Sequence, residues 1–260
     1  MVAATKRLHF DNGTEGAAVD ATSSAGSGDA ILAPVVAGDG AGVFAAAAAV
    51  GGGTGKGCQV TGSDTATWTA RLTTSAVGTL GGRICFKVDS AAPPVTAGWT
   101  ICRTRGSGTG ANAVLSTGRV LQIQNRAGST RRAMNTNTAL PNGWYLINLA
   151  TIKGTVGTAP ASTDGTITAS LYQWDGSAWQ LFESYSSAAE DTGLADFSEW
   201  QFGKPTSGGG INGLIDEAAL LSGSTALIDL PTVTPQSSTV YGMMIGDDIL
   251  QTVGNQQGWY

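Results

Sequence analysis

The stretch Gly51–Gly57, reading GGGTGKG, puts a lysine behind clustered glycines, as a phosphate-cradling loop does. Counting back from Gly55-Lys56, the first glycine of such a loop should be position 50, which is Val50, and the hydroxyl residue after the lysine is Gly57. No helical apolar period follows, so the segment reads as a turn between an early strand and the strand around Gln59-Val60. Histidine occurs once, as His9 between Leu8 and Phe10, which rules out a multi-His metal site. Trp174, Asp175 and Trp179 are a candidate glycan site: the tryptophans flank a turn where a pyranose face could stack and Asp175 could take hydroxyls. Cross-strand packing of Trp174 against Trp179 is the plain alternative. Trp68, Trp99 and Trp144 are assigned to the core.

These residues need a scaffold, and composition narrows what it can be. Glycine supplies 38 of 260 residues and charged residues only 13%, which suits strands joined by many turns. The net charge of −5 argues against a nucleic-acid partner, which would need a clustered basic face. Arg126, Arg131 and Arg132 form the one local basic cluster, read as a solvated hairpin tip; Arg103 and Arg105 lie elsewhere in the sequence. No run of 18 apolar residues occurs, and the first residues lack the apolar segment of a signal peptide. The three cysteines, Cys58, Cys85 and Cys102, lack metal-ligand spacing and are expected to be reduced. A Cys85–Cys102 bridge stays open, because the two read as lying on neighbouring strands.

Period-two alternation recurs along the chain. Ile84, Phe86 and Val88 oppose Cys85 and Lys87; Trp99 and Ile101 oppose Thr100 and Cys102; Leu121 and Ile123 share a face. NGWYLINLA is apolar enough for a strand buried on both faces. Ile167–Trp174 and Trp179–Glu183 form a hairpin closed at Asp175-Gly176, with one helical turn expected near Ala188–Asp191. Strand cores recur about every ten residues, which predicts an all-β, two-sheet antiparallel sandwich over residues 1–230. Residues 231–260 follow as a separate part. Leu230–Ser238, with Pro231 and Pro235, reads as a linker. Beyond it lies an extended apolar arm carrying Tyr241, Met243, Met244, Ile249, Leu250, Trp259 and Tyr260. Such an arm either packs back on the sandwich or docks on a neighbouring subunit.

The order of LHFDNGTEG, LPNGWYLINL, GTITASLYQWDGSAWQLFES and FSEWQFGKPTSGGGINGLIDEAALLSG resembles the concanavalin A-like lectin/glucanase superfamily, laminin-G-like domains included. The resemblance covers Lys6–Leu230 and implies a jelly roll of two curved antiparallel sheets. Glucanases of that superfamily place paired carboxylates at alternate strand positions. Here Asp216-Glu217 are adjacent and expected to face opposite ways, and Glu190-Asp191 fall in a loop, so a non-enzymatic protein is expected. In laminin-G-like relatives, rim oxygens hold calcium; Asp216, Asp11 and Asn12 could do so, or Asp216 could cap a turn. No cofactor is expected.

Low charge, abundant Ala, Gly and Thr, and the Pro-containing tail also resemble virion proteins of tailed bacteriophages. The implied role is a structural virion protein, a minor tail or capsid-surface component made in the host cytoplasm, homo-oligomeric, and joined to other virion proteins through the C-terminal arm. The alternative is a carbohydrate-binding module that recognises a host surface polysaccharide. Neither role calls for a membrane.

Overall fold

The computed structural model describes residues 1–21, 29, 31–50 and 55–233. The strands, in chain order, begin with β1 (Lys6–Leu8), β2 (Leu32–Ala37), β3 (Ala41–Ala45), β4 (Gly57–Gly62) and β5 (Thr67–Val77). Next come β6 (Thr79–Val88), β7 (Trp99–Gly106), β8 (Thr109–Leu115), β9 (Leu121–Asn125) and β10 (Thr130–Ala133). The last five are β11 (Gly143–Ile152), β12 (Gly165–Trp174), β13 (Trp179–Glu190), β14 (Phe197–Lys204) and β15 (Ile211–Ser222). They form two antiparallel sheets. One has eight strands in the order β13-β12-β11-β6-β15-β4-β3, with β1 also on β15; the other has seven, β10-β9-β8-β7-β14-β5-β2.

Alternation explains how the sheets meet. On β6 and β11, Ile84, Phe86, Tyr145, Ile147 and Leu149 face inward and pack in one core with Trp68, Leu72, Ile101, Ile123, Trp200 and Phe202 of the other sheet. The β6–β11 register runs unbroken from Gly143↔Val88 to Ile152↔Thr79. Close approach is built into two glycines. A Cβ on Gly82 would stand 2.1 Å from the Trp200 ring, and Gly203 at φ +103 leaves room for Trp68. Within the core, Thr104 and Thr151 join their hydroxyls across the sheets at 2.9 Å, so both buried polar groups are satisfied.

β11 is buried on both faces, as its composition predicts. Its outward residues Trp144 and Leu146 join Cys85, Tyr172, Trp179 and Val50 in a second apolar cluster on the outside of the eight-stranded sheet. Residues 224–233 lie over part of this face. Ile228 pairs with Val2 and packs on Ala219 and Leu221, Arg7 pairs with Asp229, and Leu230 and Val233 pack on the tryptophan cluster. Part of the stretch read as a linker therefore packs on the sandwich. The assembly-arm residues Tyr241, Met243, Met244, Ile249, Leu250, Trp259 and Tyr260 lie outside the described residues.

Two local expectations are corrected, and the open cysteine pairing is decided. Ala188–Asp191 is no helical turn, because β13 continues to Glu190, whose buried carboxylate accepts from Ser187 Oγ at 2.7 Å and pairs with Arg131. A bulge between Thr100 and Cys102 reverses the alternation on β7 and puts Ile101 and Cys102 together in the core. Cys85 faces outward on the other sheet, so it does not meet Cys102; all three cysteines are free and buried. Burial pushes the three thiols well above their ordinary pKa.

Candidate functional site

The β12–β13 hairpin brings Trp174 and Trp179 opposite each other, with ring centroids 5.4 Å apart and planes at 61°. This edge-to-face geometry packs the pair onto Trp144 and Tyr172, and Trp179 is only 9% exposed. Asp175 Oδ1 accepts from Ala178 N at 2.7 Å, Ser177 N at 2.8 Å and Ser177 Oγ at 2.9 Å, while Oδ2 accepts from Gln180 Nε2 at 3.0 Å. Those backbone N–H groups hold the Asp175 carboxyl far below the usual carboxylate range. All three residues thus have structural partners within the hairpin.

Asp216 and Glu217 do not face opposite ways. A bulge between Asp216 and Ala219, with Glu217 at φ +51, keeps both on the outer side of the eight-stranded sheet. Asp216 Oδ2 accepts from Val50 N at 3.1 Å and Oδ1 from Glu217 N at 2.8 Å; burial raises its pKa well above normal. Glu217 meets His9 Nδ1 at 2.6 Å and Arg83 at 3.4 Å, and this carboxylate raises the His9 pKa. Among the described residues, no group of three or more His, Cys, Asp or Glu could hold a metal ion. The basic cluster is likewise engaged: Arg126 forks onto Asp191 at 2.9 and 2.8 Å, Arg131 pairs with Glu190 and Arg132 with Glu183.

A different site lies on the outer face of the seven-stranded sheet. A cavity of about 420 Å³ is lined by Arg71, Arg103, Arg105, Glu199, Gln201 and the strand threonines Thr67 and Thr69. Register aligns its centre. Arg71 pairs with Gln201, Gln201 with Arg103, Arg103 with Asn112, and Asn112 with Gln124. Five planar polar side chains therefore form one row across β5, β14, β7, β8 and β9, spanning roughly 19 Å at the usual strand spacing.

Hydrogen bonds and an ion pair link Arg71, Gln201 and Arg103 through Glu199. Arg103 Nε donates to Gln201 Oε1 at 2.6 Å, and Gln201 Nε2 donates to Glu199, which also pairs with Arg71 at 3.5 Å. The Gln201 amide is thereby oriented and 5% exposed. Burial, with the neighbouring Arg105 charge, lowers the Arg103 pKa to about 10, so it remains a cation at neutral pH. Asn112 Oδ1 and Arg71 Nε are buried with no hydrogen-bond partner. Sequence reasoning noted Arg103 and Arg105 without this site. The available signal was alternation: T-x-T-x-R at 67–71, R-x-R at 103–105 and E-x-Q at 199–201 each put polar groups on one face.

No family model matches the chain, and no curated protein matches it. Among solved structures, it is similar to domain 4 of a GH43 extracellular arabinanase from Geobacillus stearothermophilus in complex with arabinotriose. That match has 15% identity and TM-score 0.48, covering 85% of this chain and 93% of that one. It is similar at 10% identity and TM-score 0.47 to an alginate lyase mutant in complex with alginate tetrasaccharide, covering 85% and 98%. A third likeness, at 11% identity and TM-score 0.38, is to the exoplasmic/lumenal domain of VIP36 in its Ca2+-bound form, covering 90% and 97%.

Proposed function

We propose that this chain is a carbohydrate-binding module that holds a glycan along the outer face of its seven-stranded sheet. The observation that carries this is the row Arg71–Gln201–Arg103–Asn112–Gln124, in register, whose first three members line a cavity. Sugar hydroxyls donate and accept at once, and oriented amides and guanidinium groups offer complementary partners at fixed positions. A row across strands repeats its polar groups at every strand, which suits an extended chain better than a compact ligand.

The module is proposed to bind without cleaving. Glycoside hydrolysis needs two carboxyl groups on either side of the scissile bond. Glu199 is the single carboxylate among the residues lining the cavity, and Arg71 and Gln201 already hold it. No histidine or tyrosine lines this cavity to act as a base.

Affinity electrophoresis through gels containing different polysaccharides tests the reading. At least one polysaccharide should retard the wild-type protein, and Gln201→Ala and Asn112→Ala should each weaken binding about 3- to 10-fold, the loss of one hydrogen bond. Absence of retardation by every polysaccharide would sink it. Display on a phage particle is a compatible proposal supported by composition and the Pro-containing tail. Mass spectrometry of purified particles tests it, and absence of the chain from them would remove it.

A further inference from the structure

We infer that the glycan held in this groove is a polyanion, with a carboxylate or sulfate seated against Arg105 beside Arg103. This rests on the carbohydrate-binding reading above and names the ligand class.

The charge pattern carries it. Acidic residues outnumber basic ones, 19 to 14, yet the groove is lined by three arginines and one glutamate. Elsewhere the arginines are matched. Arg7 meets Asp229, Arg83 meets Glu217, Arg126 meets Asp191, Arg131 meets Glu190 and Arg132 meets Glu183. Arg119 donates to Leu140 O and Asn142. Within the groove, Arg71 has Glu199 and Arg103 has Gln201. Arg105 stands apart: alone among the described arginines, it has no hydrogen-bond or ion-pair partner.

Arg103 and Arg105 are two residues apart on one strand, so their side chains share a face and their charges repel. Two half-buried cations, of which only Arg103 has a partner, the neutral Gln201, form an arrangement that an incoming anion relieves. A guanidinium offers a planar fork that a carboxylate or sulfate can accept in two parallel hydrogen bonds. The neighbouring groups speak for a sugar rather than a nucleic acid. No aromatic ring lines the cavity to stack a base, whereas Gln201, Thr67 and Thr69 offer hydroxyl partners.

The test pairs polymers that differ in charge: polygalacturonate against its methyl ester, and dextran sulfate against dextran. Oligothymidylate is included as a nucleic acid. Titration calorimetry is run on wild type, Arg105→Ala, Arg105→Lys and a charge-matched control, Arg7→Ala, whose arginine pairs with Asp229 on the outside of the eight-stranded sheet.

Wild type and the control should bind at least one anionic polymer tenfold or more tighter than its neutral counterpart, with the preference shrinking in added salt. Arg105→Ala should cut that ratio to about twofold or less, and Arg105→Lys should fall between. Thermal melts of all variants confirm that they are folded. Equal binding of charged and neutral polymers, still weakened by Gln201→Ala, would overturn the polyanion inference and leave the glycan groove standing. Binding of no polysaccharide would overturn both. Oligothymidylate bound more tightly than either polyanion, in an Arg105-dependent way, would overturn the inference in favour of nucleic acid.

Discussion

On the outside of the eight-stranded sheet, Trp144, Leu146, Cys85 and Tyr172 face outward, and Leu230 and Val233 lie against them. On the outside of the seven-stranded sheet, Arg71, Gln201, Arg103, Asn112 and Gln124 form one row in register, its first three members along an open cavity. The same alternation built both faces, yet one carries an apolar patch partly covered by residues 224–233, and the other a polar row beside an open cavity. Each face also has a key cation. Arg83, on the covered side, is fully buried, with Glu217 at 3.4 Å; Arg105, on the open side, is half-buried and unpaired. Apolar outward residues are stabilised by a cover, since burial removes their surface from water. Polar outward residues at this density are costly to cover unless the cover offers partners, which a ligand can do.

Four experiments probe this contrast, from the largest expected effect down. Trp144→Ala should lower unfolding stability by about 3–5 kcal/mol in urea melts, because it empties the covered cluster, while glycan retardation of the folded fraction is unchanged. Loss of retardation in that folded fraction would mean the two faces are not independent. Leu230→Ala should cost about 1 kcal/mol, as the side chain is only partly buried; no loss would mean that residues 224–233 merely rest on the sheet.

His9 gives a smaller effect that depends on pH. Its folded pKa is raised by Glu217, so the stabilisation is complete below the unfolded value near 6.5 and is lost as pH rises through the folded value. Asp216, with a raised carboxyl pKa, adds a loss in the same direction starting in the ordinary carboxylate range. The difference between wild-type and His9→Gln stability curves isolates the histidine, and it should fall with rising pH from about 6 upward. A flat difference would contradict the His9–Glu217 contact. Smallest is Arg105→Ala, which should alter stability by no more than about 0.5 kcal/mol in the same melts, because the side chain has no partner to lose.

The strands were legible because their residues are contiguous: Ile84, Phe86 and Val88 announce one face of β6 without any knowledge of its neighbours. The polar row was not, since its five members lie on five strands and meet through register. Register between strands is a property of the folded sheet. Bulges hid two further features. An extra residue near Ile101 turned Cys102 inward, and another at Glu217 put neighbouring carboxylates on one side. Trp174, Asp175 and Trp179 were legible as a hairpin, but no local pattern shows that Trp179 packs beneath Trp144 and Tyr172.

The bridge between Val2 and Ile228 anchors the first residues at the same outer side where residues 224–233 cross the eight-stranded sheet. The groove looks the other way, through the full thickness of the sandwich. A molecule tethered to a bead or sensor chip through Val2 would rest on the outside of its eight-stranded sheet and point Arg71, Arg103 and Arg105 at the surrounding liquid.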